Sequence, residues 1–194
     1  MPQIQRDSLL TLEAYSRSRD SFRKQVMAHK KHRRVPLGDH VMLIFEDELT
    51  IRYQVQEMLR AEKIFEEDEI RHELETYNPL IPDGRNWKAT MMIEYPDVEE
   101  RKRALATLKG IEDRAYVHVE GSPRVYAIAD EDLERENDEK TSSVHFLRFE
   151  LTEDMAKALK YGVSLAIGVD HPNYRASIDP VSPDVRDALV ADLA

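Results

Sequence analysis

The sequence predicts an α+β protein, with N-terminal helices packed on a mixed, largely antiparallel sheet that contains two strand–helix–strand units. Three observations carry this. Apolar residues recur at helical spacing through the first part of the chain, which closes on the loop Asn78-Pro79-Leu80-Ile81-Pro82-Asp83-Gly84. Beyond that loop the period drops to two, the signature of strands. Residues 91–119 and 145–169 then share one plan of strand, capped helix, glycine and strand, which favours helices packed over a shared sheet. One domain over residues 1–194 is expected, with a helical part at 1–84 and a strand–helix–strand part at 85–194.

Element by element, Asp7 reads as the N-cap of a long helix reaching about Arg33, with Leu9, Leu10, Leu12, Tyr15, Phe22, Val26 and Met27 recurring at helical spacing and a kink near residues 16–18. Pro36 and Gly38 stop it. Residues 40–45 read as a strand, and Glu46-Asp47-Glu48 as a turn. A second helix covers 49–61 on Ile51, Val55, Met58 and Leu59, and restarts through Ile70, Leu74 and Tyr77. Trp87, Ala89, Met91, Ile93 and Tyr95 alternate as a strand, and Pro96-Asp97 opens a helix over 98–108 closed by Gly110. Strands at 115–120 and 124–129 flank Gly121-Ser122, where glycine first suits a type II′ hairpin turn. Residues 130–143, rich in acids, read as a solvated loop or ragged helix. A strand at 144–151, a helix at 153–161 capped by Thr152, and a strand at 163–169 follow. Ser182-Pro183-Asp184 starts the last helix.

The balance of charge narrows the function. The 194 residues carry 28 Lys and Arg against 38 Asp and Glu, a net charge of -10, which argues against nucleic acid as the main partner. No apolar run reaches the ~20 residues of a membrane span, and Met1-Pro2-Gln3-Ile4 lacks the apolar stretch of a secretory signal, so a cytoplasmic protein without a membrane partner is expected. Zero cysteines exclude a disulfide, a thiolate nucleophile, an iron–sulfur cluster and cysteine-ligated zinc.

Motifs for common chemistries are missing. The chain has no phosphate-binding glycine loop and no nucleophile elbow. Glu69-Ile70-Arg71-His72 matches one Glu-x-x-His, but a di-iron bundle needs two such pairs and two more glutamates, so no metal and no cofactor is expected. The basic tract His29–Arg34 reads more readily as a solvated helix terminus than as a nucleic-acid patch, since no aromatics interleave it.

Three groups of polar residues are candidates for ligand or partner binding. Arg52, Tyr53, Gln56 and Glu57 sit among apolar positions of one helix, where the last three share a face. This mixture suits hydrogen bonding to a partner, or an internal network in which Glu57 neutralises Arg52 or Arg148. His145, Arg148 and Glu150 interrupt an apolar strand, with Arg148 and Glu150 on one face and His145 on the other. Asp170 and His171, before Pro172, lie at a strand end where loops often carry function, or form an ordinary turn.

The chain also resembles a known family. Phe22-Arg23, Ala28-His29-Lys30-Lys31, Phe45-Glu46-Asp47, the run Ile51–Met58, Tyr77-Asn78-Pro79-Leu80-Ile81-Pro82, Glu94-Tyr95-Pro96-Asp97 and Ile167-Gly168-Val169-Asp170-His171-Pro172 are together similar to the bacterial family of unknown function numbered 3501. The resemblance implies no catalytic residues. It implies an association with rubrerythrin and an iron–sulfur oxidoreductase-like protein, and so an accessory beside redox partners.

Two readings of function stay open. One is a non-enzymatic accessory or interaction partner of a redox or peroxide-defence system. The other is an enzyme or small-ligand-binding protein whose pocket uses Arg52, Glu57, His145 and His171. Self-association into a homodimer is expected, because a small sheet leaves two edges to cover.

Overall fold

The computed structural model describes residues 3–129 and 140–194; of the acidic segment 130–143, expected as a solvated loop or ragged helix, residues 130–139 lie outside the described residues. Helix α1 spans Leu12–Lys30 without a break. It starts five residues after the expected cap, because Asp7 is taken into a short 3-10 turn at Arg6–Ser8 and Thr11 caps instead, its Oγ1 accepting from the Ala14 N–H. Strands β1 (Arg34–Leu37) and β2 (Val41–Glu46) form a hairpin. The helix ends at Lys30, well before Pro36, which does not stop it as expected but sits in a strand. That is tolerated because β1 is the edge of its sheet. Asp47 then caps α2 (Glu48–Ala61) in a reciprocal capping box with Thr50, and α3 spans Glu67–Tyr77. Ile51, Val55, Leu59, Ile70 and Leu74 from these two helices bury against Ile4, Leu9 and Ile81.

The remaining elements are β3 (Asn86–Ile93), α4 (Val98–Thr107), β4 (Ala115–Val119), β5 (Val125–Tyr126), β6 (Ile128–Ala129), β7 (Val144–Glu150), α5 (Glu153–Lys160), β8 (Leu165–His171), β9 (Tyr174–Ile178) and α6 (Pro183–Val190). The α+β class holds, but the strands do not share one mixed sheet, nor do they take a ferredoxin-like order. They form two sheets, β1-β2-β3-β7-β6 (sheet I) and β5-β4-β8-β9 (sheet II), in which each described pairing is antiparallel. Each strand–helix–strand unit starts in sheet I and ends in sheet II, so α4 and α5 carry the chain between sheets instead of back to the same one. Ala127 makes the reverse switch between β5 and β6, its N–H donating to Ala115 O at 2.9 Å.

Inward residues of both sheets make the main core. Leu43, Phe45, Trp87, Met91, Leu147 and Phe149 of sheet I meet Val117, Leu165, Ile167 and Val169 of sheet II. The Trp87 indole N–H donates to Leu189 O at 2.8 Å and fastens α6 to this core.

Two local expectations change around sheet II. The turn after β4 runs from Val119 to Ser122, whose N–H donates to Val119 O, so Gly121 (φ +81) is its second central residue and a type II′ turn is excluded. Asp170 and His171 are also the last residues of β8, and Pro172-Asn173 forms a hairpin turn into β9, a strand not expected from the sequence.

Candidate functional site

Gln56 and Glu57 fasten α1 onto α2. The Gln56 side chain is buried; its Oε1 accepts from Leu10 N–H at 2.7 Å and its Nε2 donates to Leu10 O. Glu57 accepts from the Tyr15 hydroxyl at 2.7 Å and from Arg19 Nε and Nη2 at 2.7 and 3.0 Å. The Arg19 guanidinium holds the Glu57 carboxyl below the usual carboxylate range, while burial and then Glu57 itself push the Tyr15 hydroxyl up. The expected neutralisation of Arg52 or Arg148 by Glu57 does not occur. Arg52 donates to Glu48 one turn earlier and to Ser8, and Arg148 pairs with Glu150 on its own strand. Tyr53 is packed edge-on to Phe22, with Lys30 above its ring.

The histidines are tied to backbone. His145, only 2% exposed, has Nε2 3.0 Å from both Thr141 Oγ1 and Ser142 O, and 3.8 Å from Glu112 Oε2. His171 Nε2 donates to Lys109 O at 2.9 Å while its Nδ1 accepts from the Asn173 N–H, which fixes the neutral tautomer. Among the described residues, no hydrogen bond or ion pair joins either histidine to Arg52 or Glu57. The basic tract divides too. Arg33 is buried and makes a bidentate pair with Asp192 at 2.6 and 2.9 Å and a contact with Asp47 at 3.1 Å. Although burial opposes its charge, these carboxylates hold Arg33 protonated. No group of three or more His, Cys, Asp or Glu is gathered as a metal requires among the described residues, and none of their helices is long and apolar enough to cross a membrane.

Asp170 is the expected candidate that gathers others. It lies on the outer face of sheet II, where Tyr116 of β4 pairs in register with Tyr126 of β5 on one side and Gly168 of β8 on the other. Gly168 leaves room for an aromatic ring: a Cβ there would come within 2.6 Å of Tyr116 Oη and Cζ, so Tyr116 lies across the glycine backbone. The Arg124 guanidinium stacks on that ring, 4.0 Å from its centroid, and Nη1 reaches Asp170 Oδ2 at 3.0 Å. The Tyr126 hydroxyl donates to the same oxygen at 2.7 Å. Arg114 Nε lies 3.3 Å from Oδ1, which accepts no hydrogen bond among the described residues. Arg175 is the cross-strand partner of Asp170 and is exposed. Two arginines therefore contact one carboxylate, with a third opposite it in strand register, on a chain of net charge -10. The side chains of Arg114 and Arg124 stay half-exposed, at 48% and 45%.

Sequence reasoning missed Arg114, Tyr116, Arg124, Tyr126 and Arg175. The available signal was the alternation in residues 115–120, which puts Tyr116 on the face opposite Val117. Nothing local ties residues 114–126 to Asp170, which lies more than forty residues further on and joins them only through strand pairing, and Arg175, five residues after Asp170, lies in a strand not expected from the sequence.

No curated protein matches the chain. A crystal structure described as a novel protein of unknown function from Burkholderia pseudomallei K96243, at 1.90 Å resolution, is 55% identical over 100% of both chains, with a TM-score of 0.94. Residues 3–193 match the family model described as "Protein of unknown function (DUF3501)", and the chain belongs to that family.

Proposed function

We propose that this protein is an interaction module whose working surface is the outer face of sheet II, and that its target is an acidic patch on a partner protein. The observation that carries this reading is the layered stack of Gly168, Tyr116 and Arg124, with Arg114, Tyr126 and Arg175 around Asp170. Tyrosine and arginine are the residues that dominate protein interfaces, because each offers a large apolar or planar surface together with directional donors. A stacked arginine is also preorganised, so less side-chain freedom is lost on docking. The finer reading keeps the partner within a redox or peroxide-defence system, as a rubrerythrin or an iron–sulfur oxidoreductase-like protein; the family resemblance supports it. A chain without cysteine brings no thiol to such chemistry, which fits a non-enzymatic, positioning role.

Titration against purified rubrerythrin and iron–sulfur oxidoreductase from the same organism tests the proposal. Saturable binding that weakens from ~50 to ~150 mM salt, and falls at least about tenfold in the Arg114→Glu/Arg124→Glu pair, is expected. Equal affinity in the charge-reversed protein contradicts the assignment of the surface. Binding to neither partner, with an acidic partner recovered elsewhere, overturns the redox reading alone.

A homodimer is the second reading, favoured by Phe65 and Leu10, which are 69% and 45% exposed and line one groove with Leu12, Leu59 and Ile64. Sedimentation at twice the 22.6 kDa chain mass supports it, and a single species at the chain mass at tens of micromolar removes it.

A further inference from the structure

A second concavity lies away from sheet II, between the N-terminal segment, α3, the 78–83 loop and β3. Its volume is about 690 Å³, within the ~300–1,000 Å³ range of small-molecule sites. The apolar part of its lining is Ile4, Leu74 and Ile81, all buried in the helical cluster. Lys88 of β3 also lines it, partly buried, and donates from Nζ to Pro79 O at 2.5 Å.

The charge on Lys88 is poorly matched. Among the described residues it makes no ion pair, and an ammonium has three protons to donate against the one bond to Pro79. Its cross-strand neighbours are Glu46 and Arg148. Glu46 is engaged by the hydroxyls of Thr50 and Thr90, and Arg148 is a second cation whose own partner is Glu150. Asp83 and Glu150 lie near enough to favour the charged form of Lys88, but burial and then Arg148 outweigh them and push the ammonium down from the ordinary lysine value. At the rim, Arg6 and Arg71 already hold Glu67 and Asp68, while Glu75 and Asp83 also line the cleft and add two carboxylates to it. A half-buried cation with no direct ion-pair partner carries a desolvation cost, which an apolar side chain of similar length would avoid.

We infer that this cleft binds a small organic acid, whose carboxylate supplies the direct ion-pair partner that Lys88 Nζ lacks among the described residues and whose apolar body lies against Ile4, Leu74 and Ile81. The site is independent of the sheet II surface, so either assignment can fail alone. The ligand is held by one charge-assisted hydrogen bond and by burial, which selects acids with an apolar body over small hydrophilic ones.

Octanoate is the probe, with octan-1-ol as its neutral counterpart, titrated at about pH 7.5 by calorimetry and by amide chemical shifts. Saturable octanoate binding with a Kd below about 1 mM is expected, with shifts at residues 4, 78–81 and 88. Lys88→Met, which removes the unmatched charge and should fold at least as well, is expected to weaken octanoate at least about tenfold and to leave octan-1-ol unchanged. Lys88→Arg keeps the charge and is expected to retain binding, so the inference stands or falls on that variant and the shift map if the methionine protein does not fold. No saturation by about 10 mM octanoate, shifts confined to other residues, or equal affinity in Lys88→Met overturns it.

Discussion

Glu57 and Arg33 concentrate the ionic cost of holding the helical layer in place. Glu57 gathers three charge-assisted or hydroxyl hydrogen bonds from α1, and each such bond contributes about 1.5–3 kcal/mol when an ion is involved. Glu57→Gln keeps the shape but loses the charge, and is expected to destabilise by about 1–3 kcal/mol, lowering Tm by roughly 2–4 °C per kcal/mol for a chain of this size. The pH dependence has a definite sign. The folded Glu57 carboxyl titrates below its unfolded value, so its contribution is complete above the unfolded pKa and is lost as pH falls through the folded one. The stability gap between wild type and Glu57→Gln, measured by urea melts, is therefore expected to be full near neutral pH and to close in acid. A gap that is constant with pH contradicts the ion pair. Arg33→Met strands the carboxylates of Asp47 and Asp192 without their cation; a loss of about 3–5 kcal/mol is expected, visible as an early melt of the buried Trp87 fluorescence.

Among the elements, sheet II carries the clearest steric test. At Gly168 a Cβ would meet Tyr116 and also the backbone oxygen of Ala176 at 2.9 Å, and the latter cannot swing aside. Gly168→Ala is expected to cost about 1–3 kcal/mol and to unstack Arg124 from Tyr116, weakening partner binding along with stability. A variant as stable as wild type, with partner affinity intact, removes Gly168 from the account. The same sheet explains what could be read in advance. Helices α5 and α6 are legible because Thr152 and Ser182 announce their starts, and α2 because its apolar period of 3.6 is local, although its cap Asp47 reads as part of a turn. Strand β1 escapes notice because Pro36 and Gly38 read as breakers, and β9 because exposed Arg175 and Ser177 alternate with only modestly apolar Tyr174, Ala176 and Ile178. The division into two sheets is a matter of long-range pairing, as when β3 passes over β4 in the chain to pair with β7, and no short window contains that information. The candidate surface was half legible for the same reason. Asp170 stands out as a charged residue beside an apolar strand, while Arg114, Arg124 and the two tyrosines acquire meaning only once β5, β4 and β8 lie side by side.

At the scale of the whole molecule, charge is distributed against the average. The chain is strongly acidic, yet its outer sheet face presents three arginines, so an acidic partner is attracted to one region and repelled by the rest. Long-range repulsion of this kind favours one docking orientation over many. The helical layer lies on separate elements with a core of its own, and the Lys88 cleft opens on that layer, so a small acid and a protein partner can be bound without competing for the same residues. Hydrogen exchange of the intact chain, with and without a saturating partner protein, tests the central assignment most directly. The account predicts new protection concentrated in residues 114–118, 124–126 and 166–175, scarcely altered in 48–77, and absent in Arg114→Glu/Arg124→Glu. Protection centred on the helices, or unchanged by the charge reversal, contradicts it.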